Sequence, residues 1–99
     1  MWKNLNYTIK SMWKVNITGT YSDTEIGTPI KRTLGPFETK ADAERWRDDD
    51  ITETIQSFSG PGFNPSSSLE TSEDGTKYLH MANDRHQELV LTYIVKHEE

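Results

Sequence analysis

Residues 5–21 read LNYTIKSMWKVNITGTY, and their alternation decides the fold. The odd positions carry Leu5, Tyr7, Ile9, Trp13, Val15, Ile17 and Tyr21, while the even ones are almost all Asn, Thr or Lys apart from Met12. A period of two sends successive side chains to opposite faces of a β-strand, so the run predicts a sheet with one apolar face. Fully extended it would reach about 56 Å, far longer than an ordinary strand, and a break is expected at Ser11-Met12. The chain divides there into a strand-like arm, residues 1–11, and a single α+β domain, residues 12–99.

Outward from this run, Ser22 to Gly27 supplies turn formers, and Thr28 to Leu34 resumes the alternation with Ile30 and Leu34 on one face, which predicts a hairpin. Pro29 lacks an N–H and fits only early in an edge strand. Gly35-Pro36-Phe37 is expected to stop that strand, and Thr39 to cap a helix with Asp42 three residues on. Ala43, Trp46, Ile51, Thr54, Ile55 and Phe58 fall on one broad helical arc, suited to lying on the sheet. Asp48-Asp49-Asp50 interrupts it, and two helical segments joined near residue 49 are expected. The stretch Gly35 to Glu44 is similar to the strand-to-helix junction of many small α+β modules, sporulation-related repeats that bind peptidoglycan among them. Over ten residues the likeness encodes a helix start and carries no function.

Residues 59–68 have no periodicity and form the long loop, after which Leu69–Ser72, Thr76–Met81 and His86–Lys96 read as three antiparallel strands. In the last of these, odd and even residues are both apolar, which predicts a strand buried on both faces or at the sheet centre. The predicted order is ββαβββ: an antiparallel sheet with one helix on one face.

Composition fits one small core. The chain has 99 residues, 32 % hydrophobic, with ten aromatics and no cysteine, so disulfides, thiolate metal sites and cysteine nucleophiles are excluded. The longest mostly apolar run, Leu89 to Val95, is too short to span a bilayer, and the N-terminal residues lack the apolar core of a secretory signal. A cytoplasmic location is expected. The formal charge of −5 is uneven: residues 1–37 hold five basic and two acidic groups, while 38–58 and 59–99 each hold three basic and seven acidic ones.

Few residues carry candidate chemistry. His80, Asp84, His86 and Glu88 surround one hairpin, where a two-residue turn separates the imidazoles and a three-residue turn pairs His80 with Glu88. Neither supplies the third protein ligand that zinc needs, so no metal or cofactor is expected. No nucleophile elbow or phosphate loop is present, and no catalytic residue is assigned; an enzyme is not expected. The acidic series Asp42, Glu44, Asp48, Asp49, Asp50 and Glu53 is the candidate partner-binding face, and its three adjacent aspartates are expected to be neutralised by Asn without loss of stability. Leu5, Tyr7 and Ile9 of the arm are the candidate contact of a homo-oligomer, most simply a dimer.

The expected function is that of a small acidic, non-enzymatic binding or regulatory protein docking on another protein, in the manner of a phage-type inhibitor or an accessory subunit. The alternative is a nucleic-acid-binding module using Lys3, Lys10, Lys14, Lys31 and Arg32 with Trp2, Tyr7, Trp13 and Tyr21, disfavoured by the overall charge. A small-molecule binder with a pocket near His80 and Glu88 is the third class.

Overall fold

The computed structural model describes residues 12–58 and 66–98; the arm and its Leu5, Tyr7 and Ile9 lie outside them. Strands β1 (Met12–Ser22) and β2 (Gly27–Phe37) precede helix α1 (Lys40–Phe58), followed by β3 (Ser66–Thr71), β4 (Lys77–Ala82) and β5 (Glu88–Glu98). All five strands form one antiparallel sheet in the order β2-β1-β5-β4-β3, with α1 on one face. The α+β class and the ββαβββ order follow the sequence pattern. None of the described helices is long and apolar enough to cross a membrane.

The alternation fixes which face is buried. Val15, Ile17, Leu79, Met81, Leu89, Leu91 and Tyr93 turn toward α1 and meet Ala43 and Ile51, while Trp13, Tyr21, Ile30, Leu34, Phe37, Ile55, Phe58 and Val95 pack around this core. Each fully buried apolar side chain stabilises the fold by roughly 1.5–3 kcal/mol over leaving it in water, so the central strand β5 and its two neighbours β1 and β4 carry most of the core. At Gly19, beside Leu91, an added Cβ would sit 1.8 Å from the Val90 carbonyl oxygen; only glycine lets β1 and β5 approach so closely.

Three local expectations are corrected. Gly35-Pro36 does not end β2: a register shift between Trp13 and Val15 lets the strand bulge and continue until Phe37 pairs with Trp13. Helix α1 runs unbroken through Asp48-Asp49-Asp50, because Asp50 is anchored to the sheet instead of breaking the helix to cap a second segment. Both proposed registers of the last hairpin also fail. Met81 pairs with Leu89 and Ala82 with Glu88, and a three-residue loop, Asp84-Arg85-His86, closes between Asn83 and Gln87 with His86 at φ 64°. The β3–β4 loop has the same form, with Gly75 at φ 89° in the equivalent place. In both, an N–H donated to the carbonyl three residues back comes from a left-handed residue that ends the turn, and glycine is the residue that advertises it.

Candidate functional site

The phase of α1 creates the main concavity. Thr39 caps the helix, its Oγ1 accepting the Asp42 N–H at 3.1 Å. Ala43, Arg47 and Ile51 recur every fourth residue and face the sheet. That phase turns Trp46, Asp50 and Glu53 toward β2, the outermost strand on that side, and leaves a trough between helix and strand. Its first section, about 340 Å³, is lined by Thr33, Leu34, Gly35, Pro36, Phe37 and Trp46. The middle section, about 450 Å³, has Leu34, Trp46, Asp49, Asp50, Thr52 and Glu53 around it. A third, about 370 Å³, continues past Arg32, Asp50, Glu53 and Thr54 to Phe58 and Leu89. Neighbouring sections share Leu34 with Trp46, and Asp50 with Glu53, so the trough follows the helix from Trp46 to Phe58.

Trp46 is its principal apolar wall. The indole stacks on Phe37, with ring centroids 6.0 Å apart, yet remains 53 % exposed. The sequence pattern assigned it to the core; the core position is taken instead by Arg47, 6 % exposed, whose Nε donates to Asp48 Oδ1 at 2.9 Å. A long aliphatic stem lets an arginine cover apolar surface while its head keeps polar partners, which hydropathy cannot report.

Asp50 ties three elements together, α1, β2 and β5. Arg32 donates to both of its carboxylate oxygens, at 2.7 and 3.3 Å, and the Tyr93 hydroxyl donates to Oδ2 at 2.8 Å. Burial pushes the Tyr93 phenol up to about 12, and the neighbouring Asp50 adds to the shift. Hydrogen bonding to Asp50 also raises the Arg32 guanidinium. This carboxylate therefore holds helix to sheet, and the expectation that all three aspartates can be neutralised without loss is revised for Asp50.

The other members of the acidic series are spread around the helix. Asp42 sits in the first turn, where the helix dipole favours it, and receives Arg45 at 3.0 Å. Asp48 is occupied by Arg47, and Glu44 is half-buried. Asp49 and Glu53 are exposed and border the trough. The structure thus gathers Asp49, Asp50 and Glu53 and separates Asp42, Glu44 and Asp48 from them.

The remaining candidates fall elsewhere. His80 Nε2 and Glu88 Oε2 meet at 2.6 Å on the sheet face away from α1, as diagonal neighbours rather than the directly opposed pair expected from a three-residue turn. No group of three or more potential ligands capable of holding a metal occurs among the described residues. Trp13 stacks on His97 at 4.2 Å under Lys40, Arg32 is held by Asp50, Lys14 pairs with Glu98 at 3.0 Å and the Tyr21 hydroxyl accepts a bond from Gln87, so four members of the basic, aromatic set already have intramolecular roles. Compared with family models, curated proteins and solved structures, the chain finds no match in any of the three.

Proposed function

We propose that this is a cytoplasmic, non-enzymatic binding protein that regulates another protein by docking on it, and that the α1–β2 trough receives a cationic, extended segment of that partner. The observation that carries the reading is the exposed Trp46 indole beside Asp49 and Glu53 over an apolar floor at Leu34. Aromatic faces attract lysine and arginine head groups, carboxylates at the rim complete the charge, and the floor accepts their aliphatic stems. Strand β2 is the outermost strand on its side of the sheet, and its backbone between Pro29 and Pro36 offers an extended peptide a row of hydrogen-bonding groups.

Calorimetric titration with hexa-arginine and hexa-glutamate peptides tests this. A few exposed ion pairs and one cation–π contact support dissociation constants of roughly 10–500 µM. Hexa-arginine is expected to bind in that range, hexa-glutamate not at all, and Trp46→Ala or the pair Asp49→Asn with Glu53→Gln to weaken binding at least about fivefold. Equal binding of both peptides, or indifference to all three substitutions, would remove the trough from consideration.

A further inference from the structure

The sheet face away from α1 has no cover among the described residues, and its side chains form a cross. Thr92, near the middle of the central strand β5, lies at its centre. Along β5 the open face shows Glu88, Val90, Thr92, Ile94 and Lys96. Across the sheet the register aligns Lys31, Thr18, Thr92, Tyr78 and Glu70 in one row. Tyr78, Val90 and Ile94 are 45 %, 40 % and 38 % exposed, so the apolar groups cluster at the centre while charges mark all four ends.

We infer that this face pairs with the same face of a second copy, the two sheets crossing at about a right angle. Orthogonal stacking is one of the two ordinary ways in which sheets pack. A two-fold axis along the diagonal of the cross lays the β5 arm of one copy on the row arm of the other. Ile94 then covers Tyr78 of the second copy, Val90 meets the Thr18 methyl, Lys96 meets Glu70 and Glu88 meets Lys31. The spacings match: the charged ends lie about 13 Å from Thr92 along the strand and about 10 Å across it, a difference flexible side chains absorb. Every contact is made twice by symmetry, and the charge at each of the four ends meets its opposite, Glu88 while also holding His80 within its own chain.

Charge balance singles this face out. The six Lys and Glu residues that the register places on it, Lys14, Lys31, Lys96, Glu70, Glu88 and Glu98, cancel, although the chain as a whole carries −5. A face suited to an acidic or basic stranger would carry an excess of one sign; a neutral, alternating one suits itself. The overlap of two crossed sheets, about 24 Å on a side, buries roughly 600 Å² per copy, at the lower limit for a specific interface, so a reversible dimer is expected.

Sedimentation equilibrium of the full chain between 10 µM and 1 mM is the test, with circular dichroism confirming that each variant is folded. Lys96→Glu places like charges together at both symmetric contacts and should weaken the dimer about tenfold; adding Glu70→Lys should restore it to within about threefold. Ile94→Lys should abolish it. A chain that stays monomeric throughout, or a dimer indifferent to Lys96→Glu and Ile94→Lys alike, overturns the inference. In the second case a chain beginning at Met12 would show whether residues 1–11 hold the copies together instead.

Discussion

Replacing Asp50 by alanine removes the acceptor that holds α1 to the sheet, and the cost can be worked from its three bonds. Tyr93 is 0 % exposed, so its hydroxyl would lose a charged acceptor at 2.8 Å and keep only its hydrogen bond with Thr54. A buried hydrogen bond to a charged group contributes about 1.5–3 kcal/mol. The two Arg32 contacts add less, because the arginine side chain is 46 % exposed and water screens the pair to about 0–1 kcal/mol. The expected loss is therefore about 2–4 kcal/mol, a sizeable part of a small domain's stability. Urea denaturation followed by circular dichroism measures it, with the exposed Asp49→Ala as a companion expected to fall within about 0.5 kcal/mol of the parent. An Asp50→Ala variant as stable as the parent would refute the assignment of Asp50 as the helix-to-sheet anchor.

Other outcomes follow from the same structure. The Tyr93 phenol ionises near 10 in the unfolded chain and is pushed up to about 12 in the fold, so its contribution is complete below pH 10 and is lost as pH rises toward 12; this alkaline loss, on the order of 2–3 kcal/mol, should be absent from Tyr93→Phe. Asp74 lies the other way. Hydrogen bonds from the Ser72 hydroxyl and the Thr76 backbone hold its carboxyl down to about 2 against an ordinary 3.8, so urea titrations should show stability lost as pH falls through that interval, and less so in Asp74→Asn. His86→Gly relieves a left-handed residue and should raise stability by about 0.5–1 kcal/mol, measured by the shift in urea midpoint. Gly19→Ala drives a methyl into the Val90 carbonyl and should cost more than about 4 kcal/mol, visible as loss of the cooperative thermal transition.

Much of the fold was legible because burial on one face writes itself into period two. Val15 and Ile17 announce β1, and the apolar density of residues 89–95 announces the central position of β5. Two of the details that failed share a cause: a residue's local preference was overridden by a partner distant in sequence. Gly35-Pro36 ends strands in isolation, yet a bulge against Trp13 absorbs it. Asp50 is a poor mid-helix residue until Arg32 and Tyr93 take its carboxylate. Histidine in the left-handed region leaves no signature at residue 86, whereas Gly75 does in the sister loop. The candidate trough was half legible, since Asp49 and Glu53 stand out as charges, but Trp46 counted toward the helix's apolar arc. Its exposure depends on where β2 ends beneath it, which no periodicity in α1 records.

The most direct measurement is a nitrogen-15 NMR titration of the full chain with hexa-arginine, read residue by residue at low salt and again near 150 mM. Binding in the trough predicts saturable shifts at the Trp46 indole N–H and at the amides of Leu34, Asp49 and Glu53, weakening as salt screens the charges. Shifts spread evenly over the acidic residues, or centred on the open sheet face around Tyr78 and Ile94, would contradict it.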